Sequence, residues 1–420
     1  MLKAILNAFK TAELRKKIAF TFALLAIYRL GTFVPVPGVN AQGIADRIGD
    51  AGSASVLQFL NLFSGGALTR FSVFALGIMP YITASIVIQL MTVVIPKLEA
   101  LQKEGEAGYA KITQYTRYLT VVLAFLQSLA YILFFRKQGA FEGLGFGRLY
   151  LVIISLTAGT VLVMWLGELI TQRGIGNGIS LMIFASIVAG IPTGIRRWWD
   201  LAPVSKIIIA IMAVAVVVGV VFVNEGQRRI PIQYAKRVVG RRMTQGGTTY
   251  MPLRVNMAGV IPVIFAASIV ILPSLFSTLL GNGQSGFWYS LGNLLGTNSW
   301  FYIIFQAVLI ILFTYFYTAV QFNPVDQAEN LKKYGGFVPG VRPGRPTAVY
   351  LDRVMTRLTL PGAFYLAGIA SLPNIIFKYM PEVNFTFAGT SLLIVVGVAI
   401  DTMRQLEAQL MQRNYEGFLK

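Results

Sequence analysis

G-I-M-P-Y-I-T-A at residues 77–84 and G-V-I-P-V-I-F-A at residues 259–266 share a glycine, a proline, an isoleucine and an alanine at the same four offsets. Both run on into S-I-V-I, with a shift of one residue between Ser85 and Ser268. A second pair, G-I-S-L-M-I from Gly178 and G-T-S-L-L-I from Gly389, shares the pattern G-x-S-L-x-I. Among the apolar runs of the chain the first pair falls at ranks two and seven and the second at ranks five and ten. The second half therefore repeats the first five runs. Five is odd, so two such units lie in opposite directions across one bilayer, an inverted-topology repeat.

The runs themselves fall near 18–36, 71–95, 118–135, 149–170, 179–192, 203–224, 257–280, 299–322, 358–377 and 387–402. Most are long enough to cross a hydrocarbon core, which takes about 20 residues as a helix. The chain is 55% hydrophobic and 13% charged, against about 25% charged in a soluble protein. The expected fold is an all-α membrane protein with ten transmembrane helices in two inverted-topology five-helix halves, 1–195 and 196–420. No cleavable signal peptide is expected, because the first run is too long and lacks a small-residue cleavage site.

Lysine and arginine set the orientation. Loops on the side of the N-terminus hold 26 of them and loops on the other side 9, with Arg29 inside the first run. The positive-inside rule puts both termini in the cytoplasm. Half of the 26 lie in the loops 225–254 and 323–357, more than orientation needs. Such a concentration suits an anionic partner such as RNA, an acidic protein or lipid headgroups.

Cysteine and histidine are both absent, which removes disulfides, thiolate chemistry and Cys/His metal sites. G-Q-S-G at 283–286 has no histidine to activate its serine. G-I-G-N-G at 174–178 has no preceding strand and reads as a tight turn rather than a dinucleotide site. Arg29, Glu168 and Asp401 lie towards the ends of their runs, where they can snorkel. Span centres are nearly free of charge, which argues against an ion-coupled solute transporter. The paired short spans argue against a lipid scramblase or insertase without a through-pore.

The short, glycine-interrupted spans at matching places point to a pathway between the halves. Ile82, Ile264, Ile183 and Ile394 recur at equivalent depth in the repeat and are its candidate lining; the alternative for each is ordinary helix packing or lipid contact. An isoleucine ring binds neither ions nor sugars, but it seals, because apolar constrictions dewet. Pro80 and Pro262 are expected inside their helices, bending them locally. N-L-F-S-G-G-A-L at 61–68 is apolar yet too short to span, and Gly65-Gly66 is expected to weaken any helix there.

"NLFSGGAL", "ALGIMPYITASIVIQL", "KITQYTRY", "MWLGELITQRGIGNGIS", "RVNMAGVIP", "NLKKYGGFVPGVRPG" and "GTSLLIVV" occur in this order from about residue 10 to residue 410. In these motifs the chain resembles the SecY family, the central subunits of bacterial protein-conducting channels. The resemblance implies a clam-shaped channel with an hourglass pore and no enzymatic activity or cofactor. It implies a pore ring of Ile78, Ile82, Ile183, Ile264, Ile269 and Ile394. A plug is implied at about 54–68, with Leu62, Phe63, Ser64, Gly65 and Gly66. Thr83, Ser85, Gln127 and Asn256 fall at the lateral gate, between spans two and three on one side and seven and eight on the other. Arg241, Arg242 and Arg342 fall in the docking loops. The implied partners are the small subunits SecE and SecG, the motor ATPase SecA or a ribosome with its rRNA, secretory preproteins, nascent membrane proteins and anionic lipids. The implied location is the bacterial inner membrane. Val341 departs from the commoner isoleucine beside Arg342, and the outward loops 136–148 and 191–202 look short.

Overall fold

The structure, a computed structural model, describes residues 11–37, 39, 60–137, 141, 145–234, 237–239, 242–244, 247–280, 294, 299–379 and 389–416. In the first part of the chain lie α1 (Ala12–Gly31), α2 (Met79–Val94), α3 (Pro96–Lys103), α4 (Glu106–Lys137), α5 (Phe146–Arg173) and α6 (Gly178–Trp199). α7 (Pro203–Glu225) is followed by four strands, β1 (Gln227–Tyr234), β2 (Arg237–Val239), β3 (Arg242–Thr244) and β4 (Thr248–Arg254). α8 (Ile261–Leu280), α9 (Trp300–Gln321), α10 (Pro324–Lys333), β5 (Gly336–Phe337), α11 (Arg345–Tyr379) and α12 (Gly389–Glu416) complete it.

Each of the ten apolar runs meets one long helix: α1, α2, α4 to α9, α11 and α12. By length and composition, five described stretches can cross a membrane: Glu106–Arg136, Phe146–Arg173, Gly178–Arg196, Pro203–Glu225 and Trp300–Lys333. Met79–Val94 and Pro96–Lys103, bent by 99°, make a sixth if they count as one broken span. Helix packing repeats along the chain. α1 packs on α5 and α6, α2 on α4 and α5, α4 on α5, and α5 on α6. Apart from α1 on α5, the same pattern recurs as α7 on α12, α8 on α9 and α11, α9 on α11, and α11 on α12. Between these two sets α2 and α4 pack on α8, and α6 packs on α12.

The repeated motifs turn out to be helix starts. Gly77 and Gly259 both have positive φ, 56° and 63°. Pro80 and Pro262 are each the second residue of their helix, α2 and α8. The expected mid-helix bends are therefore absent at both prolines. At the second helical position the missing N–H is one that no carbonyl of the helix could reach, and φ is already set for the helix. Gly178 and Gly389 likewise open α6 and α12. G-I-G-N-G is the turn its spacing predicts: α5 ends at Arg173, and Asn177 caps α6 by accepting from Ile179 N and Ser180 N.

The two basic loops form a single folded body, which the sequence reading treated as separate segments. β1 lies between β4 and β5 in one antiparallel sheet, with Gln227 opposite Arg254 and Gln233 opposite Phe337. β2 and β3 pair as a small hairpin. Along β1 only Ile230 and Ile232 are buried, the period-two pattern of a half-buried strand. Ile230 and Leu253 join Val338, Leu351, Val354 and Met355 in a small core of their own. α10 and the first part of α11 occupy most of what was expected to be loop 323–357.

An alanine at a left-handed position costs about 1–2 kcal/mol. A Cβ on Gly77 would also lie 3.3 Å from Ser64 Cα, whereas on Gly259 its nearest neighbour is Asp401 Oδ2 at 3.8 Å. Gly77→Ala is therefore expected to destabilise the chain more than Gly259→Ala in denaturant titrations in detergent. Equal losses would show that the contact with Ser64 contributes nothing.

Candidate functional site

The four helix starts carry the isoleucines singled out by the repeat. Ile82 and Ile264 are the fourth residues of α2 and α8, and Ile183 and Ile394 the sixth residues of α6 and α12. Ile78 sits at the cap position of α2. All five are 1–6% exposed and belong to one apolar cluster, with Ile269 partly buried against it. Ile78 also reaches the wall behind: its Cδ1 and Met182 Sδ fill the space beside Gly167 of α5. The structure thus gathers the six expected ring residues into one core.

Leu62, Phe63 and Leu68 are buried in the same cluster. Residues 60–63 form a short helical turn, closed by Gly65 N donating to Leu62 O at 3.2 Å and Gly66 N to Asn61 O at 2.8 Å. That pair of bonds is a Schellman closure, with Gly65 at φ 67° in the left-handed position it requires. The glycines were expected to weaken any helix here; the helical turn ends at them, and they close it in a specific turn. Ser64 Oγ donates to Asn61 O and accepts from Leu68 N, while Asn61 Oδ1 accepts from Thr69 N and Thr69 Oγ1. Residues 54–59, the start of the expected plug, lie outside the described residues.

Two residues of α1 that the sequence reading did not assign to this segment hold its surroundings. Arg29 Nη1 donates to Gly65 O at 2.5 Å, so its guanidinium does not simply snorkel. Tyr28 Oη and Ser186 Oγ of α6 are 2.7 Å apart. The available signal was an arginine within an apolar span, which is costly unless it has a partner.

The expected gate residues lie on or near packed helices but are not joined to one another. Thr83 Oγ1 donates back to Met79 O within α2. Ser85 and Gln127 are half-buried on α2 and α4. Asn256 Nδ2 donates to Asn224 Oδ1 and to Gly259 O, both at 3.1 Å. Arg404 of α12 donates to Asn224 O at 2.8 Å, so the end of α7 ties α12 to the entry of α8. Burial and the nearby Arg404 lower the pKa of the Arg254 guanidinium, and Asp401 opposes them. Among the described residues no cluster of three or more acidic side chains is arranged to hold a metal ion.

Arg342 is exposed in the turn before α11, where its carbonyl accepts from Thr347 Oγ1 and Val341 packs on the sheet core. Arg242 opens β3. Arg241 lies outside the described residues.

The family model for SecY matches residues 72–403. The chain belongs to the SecY family. Relatives named Protein translocase subunit SecY are 50% identical in Corynebacterium glutamicum, 49% in Streptomyces coelicolor and 48% in Mycobacterium tuberculosis H37Rv, each over the whole of both chains. The fold is shared with a structure described as that of a protein conducting channel, at TM-score 0.65 and 19% identity, covering 93% of this chain and 91% of that one. A SecY structure described by its plug domain gives 0.62 at 20% identity, again covering 93% and 91%. Sec61 in a canine ribosome-channel complex gives 0.60 at 18% with the same coverage. Membership of the SecY family agrees with the expectation drawn from the quoted motifs, and the shared fold with an all-α membrane architecture.

Removing a donor from a fully buried acceptor costs about 1–3 kcal/mol, and Asn224 and Gly259 are partly buried, so the loss is expected towards the lower end of that range. Asn256→Ala strips both Asn224 Oδ1 and Gly259 O of their donor, whereas Thr83→Val loses only a bond within its own helix. Thermal unfolding in detergent is expected to separate them, with Asn256→Ala clearly the less stable. The reverse order would contradict the network at the entry of α8.

Proposed function

We propose that this chain is the pore subunit of a protein translocase, passing unfolded polypeptides across a bacterial inner membrane and releasing apolar segments sideways into lipid. The observation that carries this reading is that the repeat-matched isoleucines, within the first two turns of four helices, are all buried in the large apolar cluster that also takes Leu62 and Phe63. The halves are residues 1–195 and 196–420, inverted with respect to each other, with both termini cytoplasmic. The recurrence of one packing pattern in both sets of helices supports that division.

The mechanism follows from solvation. A peptide group left unsatisfied in hydrocarbon costs several kcal/mol, about 2–7 kcal/mol by transfer measurements. A pathway that is wet on both sides and dry only at a thin ring of Ile78, Ile82, Ile183, Ile264, Ile269 and Ile394 keeps that penalty short. Isoleucine makes no hydrogen bonds, so the ring yields to any sequence and closes behind it. In the resting state residues 60–68, with Leu62, Phe63, Ser64, Gly65 and Gly66, stop the ring from outside.

The lateral gate is the packing of α2 and α4 on α8, with Thr83, Ser85, Gln127 and Asn256 beside it. A signal sequence with about 7–15 apolar residues enters there, and its burial in lipid supplies the differential affinity that favours the open state. The chain supplies no chemistry of its own, so force comes from a partner. Arg241 and Arg242 of the first basic loop and Arg342 of the second dock SecA or the ribosome and its rRNA, and the sheet β4-β1-β5 joins the two loops. Structures described as Sec61 with a ribosome and as the yeast Ssh1 complex on the 80S ribosome support the latter route. SecE and SecG brace the halves, and anionic lipids meet the basic inner surface.

Cysteines at Ser85 and Ala267, introduced into a chain that has none, test gate and channel together. In proteoliposomes with the motor, the reduced pair is expected to export a secretory preprotein, and the oxidised, cross-linked pair to stop. Continued export through the cross-linked protein would refute the gate. Failure of the reduced protein to export, beside an active unsubstituted chain, would make the pair uninformative about the gate, and failure of both would refute the channel.

A further inference from the structure

The Gly65 carbonyl takes no part in the hydrogen bonds that close the turn at 60–66; its partner is Arg29, 36 residues away in sequence. Arg29 is itself fixed. Its Nη1 also lies 3.4 Å from Thr32 Oγ1, and its guanidinium sits over the Phe33 ring at 5.0 Å, with Arg70 on the same ring at 4.1 Å. The turn also meets α6 beside Arg29: a Cβ on Gly65 would lie 3.2 Å from Arg29 Nη1 and 3.3 Å from Ser186 Cα. Ser186 is held in turn by Tyr28, the neighbour of Arg29 on α1. It follows Ile183 by one helical turn.

We infer that Arg29 is the positioning residue that keeps the stopper seated, its contact with the Gly65 carbonyl acting as a latch and Ser186 linking that latch to the ring. The inference rests on reading residues 60–68 as the stopper. A polypeptide that pushes Ile183 outward moves Ser186 with it, because both ride on α6. That movement disturbs the Tyr28 contact and the wall against which Gly65 rests. The guanidinium hydrogen bond is then the last specific contact to break. Widening of the ring and release of the stopper become one event, so the channel does not leak before a substrate arrives.

The test is halide efflux from proteoliposomes holding the full chain purified with its co-assembled subunits. Four proteins are compared with the unsubstituted chain: Arg29→Gln, Tyr28→Phe, deletion of 60–68, and the deletion combined with Arg29→Gln. Loss of a hydrogen bond to a charged group shifts an equilibrium on the order of ten- to a hundredfold, so Arg29→Gln is expected to raise resting efflux by about that factor. Tyr28→Phe is expected to raise it less, and the deletion most. Arg29→Gln is expected to add nothing in the deletion background. Tight Arg29→Gln channels beside a leaky deletion would overturn the latch and leave the stopper standing. A tight deletion would overturn the stopper reading itself. Added efflux in the deletion background would mean that Arg29 acts through general weakening of the fold, which also overturns the latch. If Arg29→Gln does not assemble, Arg29→Lys keeps the charge and loses the fork; efflux above the unsubstituted level is expected, and an unchanged level overturns the latch.

Discussion

Four helices carry the candidate ring residues near their starts, and each start brings backbone N–H groups that no carbonyl of its own helix can reach. Everything near the candidate pathway answers that constraint. At α2 and α8 a proline in second position removes one such N–H, and a left-handed glycine turns the chain in just before it. At α6 the Asn177 side chain takes two of them. With the starts of α2, α6 and α8 satisfied this way, these helices carry plain isoleucines within their first two turns, as α12 also does. A constriction built from helix starts needs no polar side chain facing the opening, which is what a pore for arbitrary polypeptides requires.

The proposed stopper answers a different demand: it must leave its seat and stay folded when it does. Residues 60–69 hydrogen-bond mostly among themselves, through the Schellman turn and the Asn61 side chain, while Leu62, Phe63 and Leu68 bury against the surrounding apolar cluster. Release then gives up apolar burial rather than many hydrogen bonds.

Much of this was legible in the sequence because the repeat is written in residues with fixed physical roles. Glycine and proline at the same offsets marked equivalent positions, and Ile82, Ile264, Ile183 and Ile394 followed from them. The error was to read Pro80 and Pro262 as kinks: an apolar run shows how far hydrophobicity extends, not where the helix begins, and the run at 71–95 starts before α2 does. Low helix propensity at Gly65-Gly66 agrees with the helical turn ending there, but the left-handed turn the glycines then make depends on the carbonyls behind them. The sheet was missed although Ile230 and Ile232 alternate with exposed neighbours, because one of the partners of β1, the short β5, comes from a distant loop. The partners of Arg29 and Asn256 were out of reach, since contacts between distant segments leave no local pattern.

If the isoleucines at four helix starts form the constriction, a polypeptide in transit must touch all of them and little else at that depth. A preprotein stalled halfway through the channel, with photoreactive side chains placed in turn at residues 78, 82, 183, 264 and 394, tests this directly. Cross-links to the stalled chain are expected from all five positions, and none from Ile211 or Val214 on the exposed face of α7. Cross-links confined to one half, or as strong from Ile211 and Val214 as from these five, would contradict a pore at this site.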